Sequence, residues 1–455
     1  MKTSSELKKI ARRNTRAFTV FRMFFTARFY YPVYALLFLD YGLTLEQFGI
    51  LNGIWALTIV LLEVPSGAFA DTLGRRRLLM MTGICMMLEM LALLIAPING
   101  GSIMFVLFAV NRILSGVAEA AASGADEALA YDSLQAAGQE NQWGQVLEKV
   151  QRMTSLAFFF AMMVGAAAYD VGFINTALQT IGFSFSVEQE HLIKLPIFLT
   201  FCSSVVVFAM AICMHEDKVV LNTRLTETLG KTWRQTLMAS KWIWVNTFAF
   251  CIIFAAMVLD SVIRQFLTLA SEYWNVIQLP VASYGIIGSF MAIMGFFTPK
   301  LARMLAEKFK PWINFLIICT VVLVGLFGLS AAIPYWGILP ATLLYAGMQL
   351  TSYLVSRYLN EKAPSEQRAT ILSLRGFSTN LIYGAVSFMY GGLIAWIRSE
   401  QSGMKVLDGS PHKDSVFIES LGWFSWYFLA TAVICVLIMR WRVISSRNKV
   451  FSSKP

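Results

Sequence analysis

Ionisable side chains inside or at the edge of long apolar runs of this 455-residue chain include Arg22, Arg28, Glu63, Glu89, Arg112, Glu119, Asp126, Asp260, Arg264 and Arg375. A charge at the centre of a helix in hydrocarbon costs about 2.5–3.5 kcal/mol or more, so such residues mark function by default. Carboxylates and guanidiniums placed this way pair with each other, hold a polar solute, or exchange a proton as their surroundings change between wet and dry. Near the end of a run the same groups reach water along their stems, as expected for Arg22. The densest set is Arg112, Gly116, Glu119, Ser123, Asp126 and Ala130, spaced 4, 3, 4, 3 and 4, which one continuous helix brings to a single face. Arg112 and Glu119 then stand about 10.5 Å apart along the axis, too far for direct pairing. The stripe is expected to line a hydrated cavity or to touch Arg28, Glu63 or Glu89. Asp260 and Arg264, four apart, are spaced for a direct ion pair.

Other chemistries find little support. His191, His215 and His412 are scattered, and the six cysteines include no CxxC pair, so neither a metal site nor a disulfide framework is expected. No Gly-rich loop ending in Lys and Ser or Thr is present, which argues against direct use of ATP. No cofactor is expected. The net charge of +10 is split into short clusters between apolar runs and forms no continuous basic face for nucleic acid.

The elements that carry these residues are membrane spans. Hydrophobic residues make up 57% of the chain, charged residues only 14%, and the mean hydropathy is +0.62, against about 25% charged in an ordinary soluble domain. Runs of about 20 apolar residues cross a bilayer as helices. They fall near 17–39, 46–70, 78–97, 102–124, 153–173 and 194–214, then near 242–268, 282–302, 312–332, 338–359, 369–395 and 421–440. The expected fold is an all-α integral membrane protein with twelve transmembrane helices in two six-helix bundles, 17–214 and 242–440. The tail 1–16, the linker 215–241 and the tail 441–455 complete it. Gly67 and Arg75 after the second run recur as Gly295 and Arg303 after the eighth, a trace of duplication. Two repeats of this kind form a known transporter plan, with the polar site at mid-membrane.

Loop charge sets the orientation. Lys and Arg number 27 in the tails and alternate loops and four (Lys194, Arg398, Lys405 and Lys413) in the others. The rich side is cytoplasmic by the positive-inside rule, so both termini are expected there.

The loop after the second run reads Gly67-Ala-Phe-Ala-Asp71-Thr-Leu-Gly74-Arg75-Arg76-Arg77. It resembles the G-x-x-x-D-x-x-G-R-[KR] signature of the major facilitator superfamily, in its usual place. Glu63-Val-Pro-Ser66, Ser123-Gly-Ala-Asp-Glu-Ala-Leu-Ala-Tyr-Asp132 and Arg368-Ala-Thr-Ile-Leu-Ser373 are similar to a largely prokaryotic branch of it. The resemblance implies a multi-pass protein of a bacterial inner membrane that moves a small molecule by alternating access. It implies a gating role for Gly67, Asp71, Gly74, Arg75, Arg76 and Arg368, with Asp71 against the start of the eleventh span near Pro364. Spans one, four, seven and ten line the cavity in this superfamily, which makes Arg28, Arg112, Glu119, Asp260 and Tyr353 substrate-facing candidates. Arg112-Ile-Leu-Ser-Gly116 resembles a motif of proton-driven members. Two departures stand out. The fifth span has Gly165-Ala-Ala-Ala in place of the Gly-Pro signature of drug antiporters, and the second loop copy has Pro299 and Ala302 where Asp71 and Gly74 sit.

The expected function is secondary active transport of a small molecule coupled to protons, with the bilayer as the only other partner and a monomer as the unit. Efflux of an amphipathic or cationic compound is favoured, because the acidic stripe suits positive cargo; a proton-linked importer or a facilitator is the alternative. A membrane-embedded enzyme would need a cluster of His, Asp or Ser at the membrane surface, which the sequence lacks. Reporter fusions test the topology: signals at both termini and in the 71–77 loop should be cytoplasmic, and one in the 174–193 loop external. An external C-terminus would overturn the twelve-span arrangement.

Overall fold

A computed structural model describes residues 3–182, 186–216, 225–362, 368–404 and 413–452. Its elements run α1 (Ser4–Thr26), α2 (Tyr34–Asp40), α3 (Leu45–Leu73), α4 (Arg75–Ile95), α5 (Gly101–Ala122), α6 (Ala125–Ala136), α7 (Trp143–Tyr169) and α8 (Val171–Ile181). There follow the short α9 (Gln189–Leu192), α10 (Leu195–Cys213), α11 (Leu225–Val245), α12 (Thr247–Val276), α13 (Val281–Lys308), α14 (Pro311–Ser330), α15 (Ile338–Lys362), α16 (Arg368–Met404) and α17 (Lys413–Ser452). No strand occurs among the described residues.

Eleven helical stretches are long and apolar enough to cross a bilayer. The twelfth crossing is the first, and it is not the single helix expected over 17–39. Helix α1 opens with a capping box, in which Glu6 N–H donates to Thr3 Oγ1 and Thr3 N–H to the Glu6 carboxylate. It ends at Thr26, and the chain passes through Ala27–Tyr30 and one turn of 3-10 helix before α2. Pro32 supplies the cause, since proline has no N–H to give and disfavours helix at the residue before it.

A break in hydrocarbon is tolerated only where neighbours satisfy the freed backbone. Here Phe29 N–H donates to Thr200 Oγ1 of α10 at 3.0 Å. A Cβ on Gly165 of α7 would collide with the Phe29 carbonyl, so the small residues noted after Gly165 admit the unwound segment.

The described residues fall into two compact units: Met1–Thr44, Ile54–Trp233 and Pro280–Ala292, and Leu45–Gly53, Arg234–Leu279 and Ile293–Pro455. The first is built round Phe18, Phe21 and Phe25 of α1, packed against Leu79 and Met86 of α4 and Val207 of α10. It includes the first turns of α13, where Gly285 and Gly288 lie on Met162 and Ala282 N–H donates to Asp170 Oδ2 at 2.8 Å.

The second unit includes the first turns of α3. Gly49 and Gly53 there meet Ser387 and Phe388 of α16, and Glu46 pairs with Arg398 at 2.9 Å. Elsewhere in it Gly325 and Gly328 of α14 face Pro340 of α15. Without a hydrophobic force between helices in lipid, close approach at small residues holds such bundles together. The outward side chains are apolar; Phe297 is 72% exposed and Leu61 63%.

Replacing Gly165 by Leu should destabilise the protein by about 1–3 kcal/mol, the usual cost of overpacking. The readout is thermal unfolding in detergent, and an unchanged midpoint would show that Phe29 does not need the space.

Candidate functional site

In the first unit the polar residues converge on the break. Arg28 lies within it, 2% exposed, and its guanidinium pairs with Glu89 of α4, which is fully buried. Glu119 of α5 approaches the same guanidinium at 3.6 Å and keeps 34% of its side chain exposed. The rings of Phe25 and Tyr31 sit 5.4 and 5.9 Å from the Arg28 guanidinium carbon. Arg112 is also buried, but it has a different set of partners. Its Nε and Nη2 donate to Asn111 Oδ1 at 2.8 and 2.6 Å, and its Nη1 to the Tyr34 hydroxyl at 2.6 Å. Asn111 Nδ2 in turn donates to the Glu89 carbonyl at 2.8 Å, which ties the two arginines into one network. Two arginines and two glutamates make it formally neutral.

The expected single stripe on the fourth span is not one face. The helix ends at Ala122, and α6 begins at Ala125 after Gly124 in the left-handed region at φ 76°. Glu119 and Asp126 therefore belong to separate helices. Asp126 pairs instead with Arg22, Oδ2 to Nε at 2.5 Å, with Glu127 3.4 Å from the same guanidinium. Arg22, expected to reach for water, is held by these two acids. Glu89 and Glu119 thus share Arg28, and Asp126 and Glu127 share Arg22, so each of these acids faces an arginine. Glu63 stands half-buried in α3, its carbonyl accepting from Ser66 at 2.8 Å.

The signature loop turns at Gly74, whose φ of 92° strains any residue with a Cβ. The anion at the start of α4 is Glu216, a residue that no motif in the sequence singles out. Its two carboxylate oxygens accept from Arg75 N–H and Arg76 N–H, each at 2.9 Å, where a helix presents unpaired donors and positive potential. The Arg75 side chain pairs with Asp132, and Arg76 Nη2 donates to the Ile212 carbonyl at 2.7 Å. The side chains of Asp71 and Arg368, and the surroundings of Gly67 itself, lie outside the described residues.

In the second unit Asp260 and Arg264 form the expected pair at 2.5 Å. They line a cavity of about 250 Å³ together with residues of α15 and α16, among them Thr351 and Arg375. Arg264 also donates to Asn380 Oδ1 at 2.7 Å and lies over the Tyr383 ring. Tyr383 meets Thr268 at 3.0 Å, and Ser387 donates to Gln265 at 2.8 Å, so α12 and α16 share a polar seam. Tyr353 does not line this cavity, whereas its neighbours Thr351 and Ser352 do.

This geometry, charged networks inside apolar helices around an unwound first span, fits a family match over most of the chain. The profile of the Major Facilitator Superfamily matches residues 17–387. The chain belongs to the Major Facilitator Superfamily. It is thus a multi-pass membrane protein of the secondary transporter class. Solved structures share the fold. The nucleoside transporter NupG is 13% identical with a TM-score of 0.69, over 94% of this chain and 98% of that one. The D-xylose-proton symporter is 14% identical with a TM-score of 0.64, over 94% and 96%. A bacterial homolog of the human lysosomal transporter Spinster, in an inward-facing and unoccupied conformation, is 13% identical with a TM-score of 0.65, over 98% of each chain. No curated protein matches the sequence.

Removing one partner of a buried ion pair strands the other, at about 3–5 kcal/mol, while removing both is far milder. Glu89→Gln should therefore lower thermal stability sharply, and Arg28→Met with Glu89→Met should recover part of the loss. A double variant more stable than the single one would fit that interaction; purely additive losses would show that the pair is not coupled.

Proposed function

We propose that this superfamily member is a proton-coupled transporter working by alternating access, with Glu119 as the group that takes up and releases the proton. The observation that carries the reading is the unequal standing of two carboxylates around one buried arginine. Glu89 is sealed and pairs closely with Arg28; Glu119 is partly exposed and stands farther off. Protonating Glu119 leaves Arg28 neutralised by Glu89, so a proton enters or leaves without stranding a buried charge. Arg112, held by Asn111 and Tyr34, keeps a second positive charge in the network beside Glu89.

Alternating access also requires contacts that are made in one state and broken in another. The glycine contacts and single polar links of the first turns of α3 and α13 suit that role. Interhelical hydrogen bonds in membranes average about 0.6 kcal/mol, so these links are small enough to exchange. Glu216 fastens Arg75 and Arg76 within the first unit and supports a rigid signature loop beside such movement. The loop charges put both termini on the cytoplasmic side of an inner membrane. Coupling through Glu119 serves export by antiport and uptake by symport alike, and the direction of flux in oriented liposomes separates the two.

Glu119→Gln should abolish accumulation driven by a pH gradient in proteoliposomes while sparing exchange of substrate. Arg112→Lys should weaken coupling too, since an ammonium does not reproduce the planar fork that Asn111 and Tyr34 engage. Full gradient-driven transport by Glu119→Gln would move the proton site elsewhere.

A further inference from the structure

Among the described residues, the cavity of the second unit is lined by one more positive than negative charge. Asp260 is the one carboxylate among the described lining residues; it pairs with Arg264 at 2.5 Å and also attracts Arg375 across the cavity wall. Arg375, seven residues into α16, also lines the wall, and its guanidinium makes no hydrogen bond or ion pair with another described residue. Two guanidiniums and one carboxylate leave the wall formally at +1. An arginine inside a membrane span is costly unless something faces it, and this one faces the cavity.

The other polar groups complete the pattern. Thr351 donates to the Gly347 carbonyl at 2.7 Å and Thr379 to the Gly376 carbonyl at 3.0 Å, so toward the cavity their hydroxyl oxygens are acceptors. Ser352 brings a further hydroxyl to the wall. The wall therefore offers a forked cation for an oxyanion and threonine oxygens for a ligand hydroxyl, and it repels a cation.

We propose that Arg375 binds the oxyanion, carboxylate or phosphate, of a small organic anion that is the transported substrate. Guanidinium matches both head groups with two parallel hydrogen bonds. The assignment rests on the transporter reading above for the word substrate, while the binding site stands on the cavity alone. It reverses the cargo charge expected from the acidic stripe, because those acids face arginines in the other unit, whereas Arg375 shares a single carboxylate with Arg264.

Four probes of one size and different head charge test it: benzoate, phenyl phosphate, benzamide and benzylamine. Each is titrated into the purified full-length protein by calorimetry. At least one of the two anions should bind tenfold or more tighter than benzamide and benzylamine, and which anion does so separates carboxylate from phosphate recognition. Arg375→Gln should weaken that anion tenfold to a hundredfold, and Arg375→Lys, which keeps the charge without the fork, by several-fold. Arg375→Lys carries the test if Arg375→Gln does not fold. Absence of anion binding, equal or tighter binding of benzamide or benzylamine, or variants that bind the anion as the parent does would each overturn the assignment. Proteoliposome flux of the same probes separates the two readings. Anion binding lost in the variants without any flux would overturn transport and leave the site standing. Flux of benzylamine unaffected by Arg375→Gln would do the reverse.

Discussion

In hydrocarbon there is no water to satisfy a polar group, so every freed backbone amide and every charge has to be met by the protein. The first span is where this constraint is heaviest, since Pro32 opens the helix and the opening carries Arg28. The repairs come from three other helices. Thr200 of α10 takes the Phe29 amide, Gly165 of α7 makes room for the Phe29 carbonyl, and Glu89 of α4 neutralises the guanidinium. Much of the first unit follows from these three contacts. They fix how near α7 lies, which face α4 presents, and why Glu119 meets an arginine that is already paired.

What the sequence made legible was whatever depends on local composition. Apolar run length and loop charge indicated the spans, and the four-residue spacing of Asp260 and Arg264 gave their pair. Longer-range features were not legible by the same means. The stripe from Arg112 to Asp126 required an unbroken helix, and Ser123-Gly124 interrupts it with a left-handed glycine. A Ser-Gly step is a local warning of a turn, outweighed here by the apolar residues around it. Pro32 was a similar warning in the first span. Glu216 gave no warning at all, because its partners Arg75 and Arg76 lie about 140 residues earlier and no spacing rule reaches that far.

The two units use the same residue types to opposite effect. In the first, arginine and glutamate number two each and the hydrogen bonds of Arg112 end on neutral groups, Asn111 and Tyr34. The network is closed on itself, and its one adjustable member is the partly exposed Glu119. In the second, Asp260 pairs closely with Arg264 on its own helix, and Arg375 lines the cavity with no close ion pair to a described residue. A closed network suits a proton, which needs no space, and an open charge suits a solute, which does.

The duplication noted in the loops has a physical counterpart in α3 and α13. Each is a long helix with a proline in its later half, Pro65 or Pro299, and with glycines near its start, Gly49 and Gly53 or Gly285 and Gly288. Those starts pack in a different unit from the rest of the same helix. Glycine gives close contact while burying little side chain, so such a seat is held by many weak van der Waals contacts. Large interlocking side chains there would bind one arrangement too firmly to exchange. Small residues at the starts of these two helices thus suit the exchangeable contacts proposed for alternating access.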